Sequence, residues 1–548
     1  MARNSNFSFG SIPKIHVPRR AFNLSYNHKT TLNVGDLVPF HVQEVYPGDT
    51  FKIDSSAMVR LTSTFVKPVM DDVFLDTFYF FVPNRLVMDD WKAVMGENNK
   101  TAYYTEYESV PLMPITSPSS PSEYVGTIAN YMGIPFYSVS SGTRVQPVSI
   151  IPFRDYALIY NEWFRDENLQ DPVLINKSST LSSFEKMNSS EFSPNNYTGK
   201  VAKINKIHDY FTSALPQPQK GEPVAVSVGG AVTTGAQSVS GAQAYPLRFL
   251  TTSGSSVAPG YVGLNSTGAF LSSSSSEVGS YIYPSNLHSE ASFSVNDLTY
   301  SIALQRMLNR DNYGGTRYIE YIRSAFGVEA PDYLLQRPEF LGGSRQPLNV
   351  QQVAQTAPSS TNEDTLADLA AYSVTVGHSH AYKGFVEHGF IIGVCAIRQK
   401  HTYQQGFERF WSRSKRVDFY DPIFSNIPMQ PIFKDEIYSF GALASPSVSR
   451  PVFGYSMPWA DLRYKPSRIS GALRSGIGEN LDVWHFGDWY TAEPFLNSEW
   501  IKETPAYVDR TLSVSMSQAP QFLLDIHIRQ KAIRALPAYG IMKIGGGL

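Results

Sequence analysis

The stretch VFLDTFYFFVPNRLVMDDW, residues Val73 to Trp91, decides the fold. Side chains of an extended strand alternate between two faces, so in its first nine residues Phe74, Asp76, Phe78 and Phe80 share one side, and Val73, Leu75, Thr77, Tyr79 and Phe81 the other. Both sides are largely apolar. A strand on the surface of a solitary sheet shows one polar side, whereas this one needs cover on both. The sequence thus raises the question of what covers the second face.

Composition points the same way. The 548 residues carry only 17% charged side chains but 13% aromatics, with 33 Phe and 32 Tyr, and the 38 Gly and 36 Pro are scattered throughout. This balance predicts a mainly β protein with many turns and few long helices. The single cysteine, Cys395, lies in the apolar run FIIGVCAI, where it reads as a small buried hydrophobe with no disulfide partner. No apolar run is long enough to cross a membrane, and the N-terminus lacks the apolar core of a signal peptide. These features predict a soluble protein made and folded in a cytoplasm.

Charge is unevenly placed. Before Asp36 there are five cations (Arg3, Lys14, Arg19, Arg20 and Lys29) and no acid; after Asp525 come Arg529, Lys531, Arg534 and Lys543, again with no acid. Setting these nine aside leaves 37 Lys and Arg against 48 Asp and Glu, so the rest of the chain carries about −11. Basic ends on an acidic body suit tails that meet a polyanion.

Residues 1–30 are polar and interrupted by Pro13 and Pro18, which predicts an extended, basic N-terminal arm. Strand-like runs follow at LVPFHVQEVY, TFKIDSSAMVRLTSTF and VFLDTFYFFV, with YPGD as the first turn. A short helix is expected in PNRLVMDDWKAVMG, ending at Gly96. The clearest helix lies in PFRDYALIYNEWFRDENLQDP, where Tyr156, Ile159, Tyr160, Trp163 and Phe164 recur at steps that place them on one packing stripe. Residues 224–294 are rich in Ser, Gly and Thr with hardly any charge, yet AYPLRFL, GYVGL and SYIYP supply apolar anchors; an ordered, loop-rich β insertion is expected. Helical periodicity resumes in VNDLTYSIALQRMLNRDNYGG, and HAYKGFVEHGFIIGVCAIRQKHTY, PVFGY and LDIHIRQKAIRALP predict further strands. One body spanning 31–548, with a basic C-terminal segment at 526–548, is the expected organisation.

Catalytic signatures are sparse. The phosphate-binding, dinucleotide, nucleophile-elbow and HExxH motifs do not occur. His378 and His380 would point to one side of a strand, as a cupin-like metal site requires, but the nearest following carboxylate, Glu387, is seven positions beyond His380 rather than three or four. Basic and aromatic residues interleave in RFWSRSKRVDFYDP (Arg409 to Pro422) and DLRYKPSRISGALRS (Asp461 to Ser475). That mixture fits single-stranded nucleic acid, held by cations and stacking platforms, and equally fits a protein–protein interface.

Taken together, VFLDTFYFFVPNRLVMDDWKAVMGEN, PFRDYALIYNEWFRDENLQDP, DYFTSALPQPQKG and RYKPSRISGALRS resemble the major capsid protein family of Microviridae, small single-stranded DNA phages, particularly their gokushovirus-like branch. The resemblance spans nearly the whole chain. It implies an eight-stranded antiparallel jelly roll, the viral β-sandwich, with long insertions, assembling through pentamers into a T=1 icosahedral virion capsid in the cytoplasm of a bacterial host. It implies genomic single-stranded DNA, minor virion proteins, an internal scaffolding protein and a host cell-surface receptor as partners. No cofactor, metal or membrane insertion is implied. On this reading Arg3, Lys14, Arg19, Arg20 and Lys29, with Arg413, Lys415, Arg416, Arg463, Lys465 and Arg468, are the candidates to face packaged DNA. The insertion at 224–294 becomes a threefold protrusion, with Thr252, Ser253, Tyr261, Asn265, Ser272, Ser276 and Tyr281 as candidate host contacts. One face of Val73 to Phe81 would then meet an opposing sheet, and the other would meet the chain's own insertions or a neighbouring subunit. The alternatives are a metal-dependent cupin-like enzyme centred on His378 and His380, and a carbohydrate-binding β protein using its many Tyr and Trp.

Overall fold

The computed structural model describes residues 18–97, 108–114, 121–135, 147–221, 234–237, 261–265, 268–272, 281–284, 295–315, 317–354, 369–439, 450–478 and 480–537. Two antiparallel sheets form its centre. Their strands are β1 (Arg20–Asn23), β2 (Tyr26–Leu32), β3 (Val38–Val45), β4 (Thr50–Leu61), β5 (Val73–Pro83), β6 (Glu339–Pro347), β7 (Val350–Ala354), β8 (Leu369–Gly384), β9 (Gly389–Gln399) and β10 (Phe522–Arg534). One sheet runs β1-β10-β4-β8-β7, with β2 also pairing to β10; the other runs β6-β5-β9-β3. The protein is therefore mainly β with antiparallel sheets, as its composition predicts.

Local chemistry accounts for the first turn. Between β3 and β4 the Asp49 carboxylate accepts the Tyr46 amide at 3.0 Å, and Gly48 takes a φ of +88° that a side chain would resist. In the six-stranded sheet, alternation is strict: Phe51, Ile53, Ser55, Ala57 and Val59 of β4 and Leu524, Ile526, Ile528, Gln530 and Ala532 of β10 are buried, while the residues between them reach solvent. The four-stranded sheet differs, because its central strands β5 and β9 are buried on both faces.

Elements of the chain itself cover the second face of β5. On the inner side Phe81 packs against Phe385, which also contacts Phe51 of the opposite sheet. On the outer side Phe80 meets Trp163 and Phe164 at ring separations of 5.3 and 5.9 Å, and Phe340 of β6 joins them at 5.7 Å. Trp163 and Phe164 belong to the predicted helix, here α1 (Ile151–Ile159) continued by a π-helical turn, Tyr160–Phe164. The helix is tied to β3 by its flank: the Tyr156 hydroxyl donates to the Leu37 carbonyl at 2.7 Å and accepts from the Ala202 amide at 3.0 Å. It stops at Phe164, the last residue of the stripe, where the Asp166 carboxylate accepts the amides of Asn168 and Leu169 and turns the chain.

Two expectations about the chain ends are altered. The last third of the arm expected at 1–30 is instead strand β1 and most of strand β2, laid along β10. The basic C-terminal segment begins inside β10, a strand flanked by neighbours on both sides, because its alternate Leu524, Ile526 and Ile528 belong to the core.

Residues Gln219–Asn312 form a compact unit of their own. Within it Tyr261–Asn265 pairs with Gly268–Ser272, and Thr234–Gln237 pairs with Tyr281–Pro284, so GYVGL and SYIYP are strands. AYPLRFL lies outside the described residues. The helical periodicity of VNDLTYSIALQRMLNRDNYGG corresponds to a helix, Val295–Gly314, which ends at the first of the two glycines.

Candidate nucleic-acid interface

The two basic, aromatic stretches converge on one cavity of about 400 Å³, lined by Tyr210, Phe410, Trp411, Tyr464, Arg468 and Arg474 among others. Neither stretch is a regular element. Short 3-10 turns at Arg409–Ser412, Arg416–Asp418 and Pro422–Asn426 carry the first, and carboxylates hold it: Asp418 accepts the amides of Ser414 and Lys415 at 3.0 and 2.7 Å, and Asp421 accepts that of Ile423 at 3.0 Å. The second stretch is clamped by Gln404, whose amide donates to Ser475 Oγ at 3.0 Å and accepts the Ser475 amide at 2.9 Å.

Stacking and ion pairing fill the floor. Tyr210 lies parallel to Tyr464 with centroids 5.2 Å apart, and its hydroxyl donates to Glu436 at 3.0 Å. Burial, then the Glu436 charge, pushes the Tyr210 phenol well above its usual range. Arg409 grips the same carboxylate at 2.8 Å and lies over the Phe433 ring. Arg413 pairs with Asp461, both side chains being 11% exposed. Lys465 reaches Glu408 at 2.5 Å, and Arg468 pairs with that same carboxylate. Four of the basic side chains are thus neutralised within the chain, whereas Lys415, Arg416 and Arg463 are exposed and have no ion pair among the described residues. Above the cavity Phe410 and Trp411 stand 42% and 70% exposed, available for stacking.

The remaining candidates are dispersed. Arg3 and Lys14 lie outside the described residues. Arg19 donates to the Gly48 carbonyl and to Thr50 Oγ1, Arg20 opposes Arg534 across the ladder, and Lys29 stands 3.9 Å from Asp525. Thr252, Ser253 and Ser276 also lie outside the described residues, whereas Tyr261, Asn265, Ser272 and Tyr281 occupy ladder positions in the Gln219–Asn312 unit. His378 and His380 do share the outward side of β8, but His378 is bonded to Ser56, and Glu387 forms an ion pair with Arg85 at 2.6 Å. Among the described residues no group of three His, Cys, Asp or Glu is arranged to hold a metal. Cys395 is fully buried, which pushes its thiol up.

Sequence reasoning missed the acidic partners Glu408 and Glu436 and the Tyr210 platform. The only signal for Tyr210 was its place in DYFTSALPQPQKG; the stack forms between residues far apart in the chain, which no local pattern announces.

Comparison with known proteins places these features in context. A family model described as "Capsid protein (F protein)" matches residues 10–544. The chain is 38% identical over 538 residues to capsid protein VP1 of Spiroplasma virus 4, covering 96% of this chain and 95% of that protein. It is 35% identical over 560 residues to capsid protein VP1 of Bdellovibrio phage phiMH2K, covering 98% of each, and 32% identical over 591 residues to capsid protein VP1 of Chlamydia phage 1, covering 97% of each.

Proposed function

Because the chain belongs to the family of microvirus capsid proteins, the F-protein family, we propose that it is the major subunit of a T=1 icosahedral shell enclosing a circular single-stranded DNA genome. A capsid protein is structural, and its work is burial of surface between copies rather than a reaction. The observation that carries the reading is the match of the capsid family from residue 10 to residue 544, nearly the whole chain.

The strand order supports an eight-stranded jelly roll within this sandwich. Four strands run β2-β10-β4-β8 and four run β3-β9-β5-β6, with chain-consecutive pairs such as β2 and β3, or β4 and β5, split between the sheets. On this reading β1 and β7 are edge additions. The compact Gln219–Asn312 unit supports an outward protrusion that meets the host surface. Minor virion proteins and an internal scaffolding protein complete the partners, with synthesis and assembly in the bacterial cytoplasm. Among the described residues no helix is long and apolar enough to cross a membrane.

Negative-stain electron microscopy of the expressed chain, alone and with its companion virion proteins, tests the reading. Uniform small isometric particles of icosahedral symmetry are expected. A chain that stays monomeric in both preparations overturns it.

A further inference from the structure

The solvent face of the six-stranded sheet is built of residues that the strand periodicity collects from both ends of the chain. Five rows cross β10, β4 and β8. The first is Lys531, Lys52 and Tyr382; the second is Arg529, Asp54 and His380; the third is His527, Ser56 and His378. Asp525, Met58 and Val376 follow, then Leu523, Arg60 and Val374. On β2, Lys29 extends the fourth row beside Asp525.

Three features of this face go together. It is basic, with Lys29, Lys52, Arg60, Arg529 and Lys531 against Asp54 and Asp525, in a chain whose net charge is −2. Its cations are open to solvent: Lys52 and Lys29 are 63% and 77% exposed, and their nearest carboxylates stand 3.6 and 3.9 Å away. Arg60, Arg529 and Lys531 are exposed and have no ion pair among the described residues. Finally, Lys531 and Lys52 are direct cross-strand partners, a like-charge pairing that disfavours the bare sheet and that an anion between them relieves. Tyr382, 70% exposed, closes the same row with an aromatic platform.

The contrast with the cavity decides between the two surfaces. There Arg409, Arg413, Lys465 and Arg468 are held by carboxylates of the same chain, which a phosphate would have to displace, and of the candidate cations in the two stretches only Lys415, Arg416 and Arg463 stand without an ion pair among the described residues. On the sheet face Arg529 and Lys531 have no carboxylate among the described residues to give up, and the Lys52–Asp54 pair is long, at 3.6 Å, and exposed, so a phosphate there displaces mainly water and counterions. Cations two residues apart along a strand are about 7 Å apart and neighbouring strands about 5 Å apart, so Lys52, Arg529 and Lys531 form a compact group.

Resting on the capsid reading above, we propose that the outer face of the six-stranded sheet, centred on Lys52, Arg529, Lys531 and Tyr382, binds the phosphate backbone of the enclosed single-stranded DNA. Contacts of this kind are sequence-independent and salt-sensitive, with the aromatic ring adding base stacking.

The test uses the purified full chain and a fluorescein-labelled oligo(dT), with affinity followed by anisotropy over a range of salt. The triple variant Lys52→Gln, Arg529→Gln, Lys531→Gln is compared with Arg413→Gln, Lys465→Gln, Arg468→Gln, and circular dichroism checks that each is folded. Removing three phosphate contacts should reduce the slope of log affinity against log salt by about 2. The cavity variant should keep the parent slope. Tyr382→Ala, which leaves charge unchanged, should weaken binding without changing the slope. An unchanged slope in the sheet variant overturns the proposal, as does a parent chain that binds no DNA. So does a sheet variant that binds DNA normally but forms no particles, because the face would then be a contact between proteins. Particle formation is read separately by microscopy, so a shell that assembles without using this face for DNA defeats this inference and leaves the capsid reading standing.

Discussion

Arg154 donates to Glu185 across 2.8 Å, and neither side chain has any exposure to solvent. The carboxylate also accepts from the Tyr197 hydroxyl, the Asn176 amide and the Ser182 amide, while the guanidinium reaches the Val87 and Ser178 carbonyls. Burial works against the charge on Glu185, but these donors outweigh it and hold its carboxyl below the usual range. The pair ties α1 to the long segment that follows it.

Removing one partner strands the other charge in the core. Glu185→Ala is therefore expected to cost about 3–5 kcal/mol of stability, and Arg154→Met a similar amount. Replacing both together should cost clearly less than the two single losses added. Chemical denaturation of the three variants checks this; additive losses would mean that the two side chains act independently.

Phe80 carries the second face of β5. It is 1% exposed and surrounded by Trp163, Phe164 and Phe340. Phe80→Ala should cost about 3–5 kcal/mol, whereas Phe80→Leu, which keeps most of the volume, should cost less. Thermal unfolding of the subunit measures both. A negligible loss in Phe80→Ala would show that the helix does not depend on this strand for its seat.

That contact also shows what was legible in the sequence. The run Val73 to Phe81 declares two apolar faces by alternation, and Tyr156 to Phe164 declares a stripe by helical spacing, so each half of the interface is local information. That the two halves meet is not local, and neither is the pairing of Asp76 with Arg345 and Arg398 from distant strands. The edge strands β1 and β2 were hidden because Arg20–Asn23 and Tyr26–Leu32 are mostly polar and acquire their strand character from β10. In the cavity, the basic and aromatic composition was visible, but the pairing was not: Glu408 beside the first stretch holds Lys465 and Arg468 of the second, Asp461 of the second holds Arg413 of the first, and Glu436 holds Arg409. Charge read along a sequence counts cations without counting their partners.

His401 is enclosed by Asp488, which bonds Nδ1 at 2.8 Å, and Glu503, which bonds Nε2 at 3.1 Å; Lys206 stands 3.6 Å from Asp488. Burial alone would lower the imidazole pKa, but the two carboxylate charges outweigh it and raise it to about 10. A raised folded-state value means that the stabilisation is complete below the unfolded value near 6.5 and is lost as pH rises through about 10. Asp488, whose carboxyl is held low against burial by His401 and Lys206, contributes the opposite limb: its stabilisation is lost as pH falls below the ordinary carboxylate range. Melting temperature should accordingly decline between pH 7 and pH 10. In His401→Gln it should start lower and decline less over that interval. Parallel curves for the two proteins would refute the assignment.

The insertion offers the sharpest separation of folding from function. Residues 252–280 contain the whole Tyr261–Asn265 and Gly268–Ser272 ladder but neither strand of the Thr234–Gln237 and Tyr281–Pro284 ladder. Excising them removes a self-paired hairpin and leaves the second ladder and the main sheets with their own partners. Lengthening or shortening such a connection changes closure entropy only slowly, so the loss of subunit stability should stay near 1 kcal/mol. The truncated chain should fold and form shells, lack the surface projections in electron micrographs, and fail to adsorb to host cells. Shells with an unchanged outline would show that this hairpin is not the protrusion, and full adsorption by shells that have lost it would place host contact elsewhere on the surface.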